Sequence, residues 1–173
     1  MKWMTSEKLL AINHAGEWGA IHFYTAQSTV STFRFPNEKT AIESILGHEK
    51  VHFKLFDDLL IKRKTRRCHA LWFWQIGGYL LGFMTALIGI KAAMVATEVF
   101  EDVVISHFDQ QLEWLKTNDN ELHDLVSYVY QDELSHGVIA CPYTEAAGII
   151  YTPLRFIVRI LTETMMFLAK HGI

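Results

Sequence analysis

The sequence predicts an all-α chain: a four-helix bundle with a long crossover between helices two and three and an extra helix at the C-terminal end. Three observations predict it. Only three prolines occur in 173 residues, and long stretches run without a helix breaker. No segment alternates apolar and polar residues as a half-buried strand does. Two glutamates, Glu17 and Glu101, each precede a Glu-x-x-His sequence by the same 32 residues.

The elements follow in order. A first helix is expected from about Ser6, a plausible N-cap, to about Arg34, with Pro36-Asn37 as the break. A second runs from about Asn37 to about Lys64. A third is expected from Phe83 to Lys116, followed by a turn at Thr117-Asn118-Asp119-Asn120 and a fourth helix to about Ala147. After Gly148, Pro153 opens a last helix that ends near His171-Gly172. The whole of 1–173 is read as one domain, long enough for a real core. Hydrophobic residues make up 50% of it, and the net charge of -3 gives no footprint for nucleic acid. Cys68 and Cys141 form neither a metal-binding spacing nor a disulfide framework. The opening Met1–Glu7 lacks the apolar run of a secretory signal and the Arg- and Ser-rich look of a transit peptide. A reducing compartment is therefore expected.

Residues 70–90 stand apart because they carry no charged side chain. Trp72, Phe73, Trp74 and Tyr79 lie near the start, and Gly77, Gly78, Gly82 and Gly89 punctuate the stretch. Immediately before it comes Lys62-Arg63-Lys64-Thr65-Arg66-Arg67. Three readings are open: a transmembrane helix, a buried crossover between helices, or a segment lying on an anionic membrane surface. The glycine pair and the immediate entry into a ligand-bearing helix argue against a simple span. The interfacial reading is the leading one.

Only two of the nine histidines have a Glu three residues earlier: Glu49 before His52, and Glu133 before His136. In a helix such residues share a face, so both side chains can reach one metal. The interval from Glu17 to Glu49 is centred on residue 33, beside the first break, and that from Glu101 to Glu133 on residue 117, at the second turn. In an antiparallel hairpin, residues equidistant from the turn lie at one height. Each half therefore sets one Glu level with one Glu-x-x-His pair. Docking the halves assembles four carboxylates and two imidazoles in one layer, the ligand set of ferritin-like di-iron and di-manganese bundles. Four carboxylates offset the charge of two divalent ions inside a core. Oxygen donors with one imidazole per metal suit iron or manganese. By analogy with that site type, Glu49 and Glu133 bridge the metals, Glu17 and Glu101 are terminal ligands, and His52 and His136 serve one metal each. Glu98, one turn before Glu101, is either an extra ligand or polar surface.

Around these ligands the sequence resembles the demethoxyubiquinone hydroxylase family over about residues 8–168. Asn13-His14-Ala15-Gly16-Glu17-Trp18-Gly19-Ala20 is similar to its opening His-Ala-Gly-Glu motif, with Tyr24 and Gln27 in similar places. Glu49 to His52 followed by Phe53, the Gly82–Gly89 lead-in, Glu101 with His107 and Gln111, and Asp132–His136 resemble its later motifs. Trp18, Asn13 and Glu98 depart from the family pattern, which puts substrate detail in doubt rather than the ligands.

The resemblance implies a monooxygenase of ubiquinone biosynthesis that hydroxylates a demethoxyubiquinol ring with molecular oxygen at two iron ions per chain. Its substrate is a polyprenylated quinol, and its electrons come from the quinol itself or a nicotinamide donor. It implies a peripheral protein on the cytoplasmic face of a bacterial membrane or the matrix face of the mitochondrial inner membrane. His107 is a candidate supporting group or proton carrier beside the ligands; His14 is a weaker one, and Tyr24 and Tyr130 read as core packing. The helix from Leu154 to Lys170 either covers a lipid channel or packs on the bundle. The large apolar segment favours self-association or a lipid-presenting partner protein. A ferritin- or rubrerythrin-like oxidase of iron or peroxide would share the six ligands; the apolar 70–90 segment and the lack of cysteine-ligated iron speak against it.

Overall fold

The computed structural model describes residues 5–145 and 147–171. Met1–Met4 of the opening segment and Gly172 at the expected end of the last helix lie outside them. Six α-helices account for most of the described residues, which contain no strand. They are α1 (Ser6–Arg34), α2 (Lys39–Arg63), α3 (Leu71–Ile88), α4 (Ile90–Asn118), α5 (Asn120–Glu145) and α6 (Thr152–His171). The four-helix bundle is built from α1, α2, α4 and α5, with α3 as the crossover and α6 as the additional helix.

Cross-helix pairs fix the directions. Ser28 bonds Glu43 at 3.1 Å and His14 lies 3.1 Å from Asp57, so α1 and α2 run antiparallel. Gln27 donates to the Ala93 carbonyl at 3.1 Å while Asn13 and Gln111 exchange amide bonds, so α4 descends as α1 rises. Phe23 and Phe100 stack between these two helices with centroids 5.1 Å apart. The far end of α2 is clamped to the α4–α5 turn, where Arg63 bonds Asp119 and Glu121. Asp119 also accepts from the Leu122 N–H, capping α5.

Local chemistry corrects two expected boundaries. Thr5, not Ser6, caps α1, its hydroxyl accepting from the Lys8 N–H. The single helix expected over Phe83–Lys116 is two helices. Gly89 has φ +141°, a conformation closed to residues with a Cβ, and there the rising α3 turns directly into the descending α4.

Along α1, α3 packs with backbone nearly touching backbone. A Cβ on Gly78 would sit 2.3 Å from the Gly19 carbonyl oxygen, and one on Gly82 2.2 Å from that of Phe23. The four-residue spacing of these glycines puts them on one face. Trp74, Thr85 and Ala86 are buried with them, and only 28% of the helix is buried in all. Its other face exposes Trp72, Ile76, Leu80 and Met84. The crossover is therefore one-sided rather than buried all round, and it is also long and apolar enough to cross a membrane. Polar links fasten α6 to α4: Arg155 to Glu98, Arg159 to Asp102 and Glu163 to His107. Glu98 thus serves an ion pair with α6. Exposed Phe156, Ile157 and Ile160 line the outer face of α6, and Met165 abuts Gly77 of α3.

Gly82→Ala is expected to destabilise the protein by about 1–3 kcal/mol, because backbone rather than a flexible side chain must move. Gly47→Ala, at a helical position with open space around it, should instead be neutral or stabilising by up to about 1 kcal/mol. Urea unfolding of the two variants checks both.

Candidate metal centre

The six residues singled out by spacing converge in the middle of the bundle. Glu17 comes from α1, Glu49 and His52 from α2, Glu101 from α4, and Glu133 and His136 from α5. All six are at most 4% exposed. Their donor atoms form two groups, each with all atoms within 4.8 Å of one another: Glu17, Glu49, His52 and Glu133, and Glu49, Glu101, Glu133 and His136. Glu49 and Glu133 belong to both.

Each imidazole turns Nδ1 inward. His52 Nδ1 lies 3.2 Å from Glu133 and 3.8 Å from Glu17. His136 Nδ1 lies 2.9 Å from Glu133, 3.3 Å from Glu49 and 3.4 Å from Glu101. The outward nitrogens are held from behind: His52 Nε2 meets Asp132 at 3.0 Å and His136 Nε2 meets His48 at 3.1 Å. Tyr24 donates its hydroxyl to Glu101. Tyr24 stands seven residues after Glu17, two turns along the same face, which is the sequence signal that a packing role for it overlooks.

This donor set fits a pair of divalent ions. Glu49 Oε1, His52 Nδ1 and Glu101 Oε2 are buried without a well-directed hydrogen bond. Buried polar atoms seldom go unpartnered, and Glu49 Oε1 and His52 Nδ1 lie against the other ligands of the cluster. Without metal, the carboxylates must share protons. Burial, then the charges of Glu49 and Glu133, raise Glu17 well above the usual carboxylate range. Burial and the Glu133 charge push Glu101 up to about 8, against the opposing pull of His136. Burial lowers His52, but its bond to Glu133 and the charges of Glu133 and Glu49 outweigh this and raise it to about 9. Burial likewise opposes protonation of His136, and its bonds to Glu101, Glu133 and Glu49 again prevail.

A cavity of about 10 Å³, room for one water, lies against the cluster between α1 and α4. Asn13, Gly16, Phe100, Phe108 and Met166 line it together with the ligands. A groove of about 420 Å³ lies elsewhere, between the start of α1 and residues 63–69, and none of the six lines it. His107 is buried but bonds Glu163 and Lys170, both on α6. His14 is fully buried against Phe53 and Asp57.

These protonation shifts set a pH dependence. Between pH 4.5 and 8 the folded state holds a proton on Glu101 that the unfolded chain has released, and between 6.5 and 9 the same holds for His52. On account of these two groups, stability of the metal-free protein must then fall as pH rises from about 4.5 to 9. Metal replaces these protons, so loaded protein should show a flatter profile and loading at pH 7 should release protons. Melting curves with and without divalent metal, and metal titration in weak buffer with a pH indicator, check the two expectations.

The family model described as "Ubiquinone biosynthesis protein COQ7" matches residues 4–169. The chain is 30% identical over 166 residues to a Dictyostelium discoideum protein named NADPH-dependent 3-demethoxyubiquinone 3-hydroxylase, mitochondrial, covering 94% of this chain and 76% of that one. It is 30% identical over 161 residues to the 5-demethoxyubiquinone hydroxylase of Saccharomyces cerevisiae, covering 84% and 69%. It is 32% identical over 130 residues to the 3-demethoxyubiquinol 3-hydroxylase of Rhodospirillum rubrum, covering 75% and 61%. With the match running nearly end to end over an all-α ferritin-like bundle, the chain belongs to the COQ7 family of ubiquinone biosynthesis proteins.

Proposed function

We propose that this protein hydroxylates the ring of a demethoxyubiquinol, using molecular oxygen at two iron ions held by Glu17, Glu49, His52, Glu101, Glu133 and His136. The observation that carries this is the pair of buried four-residue clusters sharing Glu49 and Glu133. Shared carboxylates are what a bridged pair of ions requires, leaving Glu17 with His52 and Glu101 with His136 as the separate ends. Bound iron supplies the redox chemistry that activates oxygen. The chain supplies the rest. The helices keep bulk water from the ligands, and Tyr24 fixes the orientation of Glu101. Relatives named as NADPH-dependent favour a nicotinamide electron donor.

A quinol ring does not fit a 10 Å³ cavity, so Met166 and its helix must yield to admit one. In this proposal His107 acts through α6: with Glu163 and Lys170 it anchors the helix that covers the site. The polyprenyl tail lies along the apolar outer faces of α3 and α6, which meet at Gly77 and Met165. Those faces seat the protein peripherally on a membrane, facing the bacterial cytoplasm or the mitochondrial matrix, and they also suit a second copy or a lipid-presenting partner. Much of the basic run is already used internally, since Lys62 pairs with Glu121, Arg63 with Asp119 and Arg67 with Asp57. Lys64 and Arg66 remain exposed for anionic headgroups.

Anaerobically purified protein should carry about two irons per chain. Glu133→Ala should lose them together with oxygen-dependent hydroxylation of a short-tailed demethoxyubiquinol; iron retained in that variant refutes the assignment. For the membrane face, Ile76→Glu with Leu80→Glu should weaken sedimentation with anionic vesicles by roughly 10-fold or more, the loss of about one buried apolar side chain's worth of free energy. Unchanged sedimentation places the contact elsewhere.

A further inference from the structure

The ligand set is two-fold symmetric, and its supports are not. In each half the residue just before the motif glutamate reaches across to the other half's imidazole: Asp132 to His52 and His48 to His136. One imidazole is therefore backed by a carboxylate and the other by a second imidazole. The geometry fixes the roles. His136 directs Nδ1 at the carboxylates, which leaves the Nε2 hydrogen to bond His48 Nδ1. The rings lie 20° from parallel with centroids 5.3 Å apart, a separation set by ring nitrogens facing each other rather than by face-to-face contact. His48 thus accepts through a lone pair and contributes no negative charge. Asp132 contributes a full carboxylate, which increases the donor strength of the imidazole it backs.

The terminal carboxylates differ in the same direction. Glu101 receives the Tyr24 hydroxyl, which draws electron density from the oxygen it offers. Glu17, at the corresponding position of the other half, has no tyrosine donor among its hydrogen bonds in the described residues. Two separate features therefore weaken the end formed by Glu101 and His136 relative to that formed by Glu17 and His52.

We infer that the two metal positions are unequal: the Glu17–His52 position binds a divalent ion first and more tightly, and His48 and Asp132 are the positioning residues that set this order. This rests on the metal-centre reading above and deepens it. The bridging carboxylates are common to both positions, so the difference lies in the ends alone. The Glu101–His136 position, poorer in donated charge, then holds the more exchangeable and more Lewis-acidic ion. Outer partners of ligating histidines typically change metal affinity by about 10–100-fold, which sets the size of the step expected.

The test is anaerobic titration of metal-free full-length protein with cobalt(II), followed by visible absorbance and by equilibrium dialysis. The parent protein should take up one equivalent tightly and a second about 10–100-fold more weakly. Mutual repulsion of two ions alone can produce such steps, so variants of the ends decide. Glu17→Ala should abolish the tight step, and Glu101→Ala should retain it. Asp132→Asn should weaken the first step, and His48→Asp should strengthen the second until the two merge. Circular dichroism of each variant checks that the helices remain. Equal behaviour of Glu17→Ala and Glu101→Ala, or steps unmoved by both Asp132→Asn and His48→Asp, overturns the inference while leaving a two-metal site intact. Parent protein that takes up no cobalt overturns the metal-centre reading itself, and this inference with it.

Discussion

Four carboxylates and two imidazoles packed into one buried layer are the constraint on which the rest of the molecule depends. Like charges at such distances inside a core are intolerable unless protons or cations lie between them. Much of the surrounding structure answers to this. Asp132 and His48 hold the outward-facing ring nitrogens, and Tyr24 bonds Glu101. Asn13 and Gln111 satisfy one another a turn beyond Glu17, so neither amide competes for the ligands. Apolar rings such as Phe23, Phe100 and Phe108 are buried in the adjoining layers.

The candidate site was unusually legible in the sequence because register carries three-dimensional information in an antiparallel hairpin. Equal spacing of Glu17 and Glu49, and of Glu101 and Glu133, about two helix breaks is sufficient to place four side chains at one height. What stayed hidden depends on contacts between helices that spacing does not specify. His48 and Asp132 reach across the bundle, and neither its own helix nor its motif marks it as a support. Tyr24 stands at a position that reads equally well as core. The break at Gly89 was invisible because an apolar run with helical propensity lies on both sides, and only the need to reverse direction distinguishes that glycine from Gly82. Glu98, ambiguous in sequence, is settled by Arg155, a partner 57 residues away.

The crossover and the last helix show how a bundle can carry two kinds of surface. Gly78 and Gly82 of α3 bring its backbone against that of α1, and Trp74 is seated over Gly19. Trp72, Ile76, Leu80 and Met84 are directed outward from its other face. α6 is attached differently, through ion pairs to α4 along one edge. The two helices touch where Met165 abuts Gly77, and the neighbouring Met166 lines the small cavity beside the cluster.

The repeated 32-residue interval also bears on how the protein reaches its native state. Each hairpin brings half of the ligands together through contacts that are short along the chain, and such contacts form early and quickly. The complete coordination sphere exists only after the halves dock, a step whose contacts span 80 residues and more, as between His52 and Asp132. A metal ion that needs ligands from both halves binds the docked form and not its precursors, and so draws the folding equilibrium toward it. A metal ion held by ligands from both halves would then act as a late checkpoint of assembly, stabilising the docked form alone.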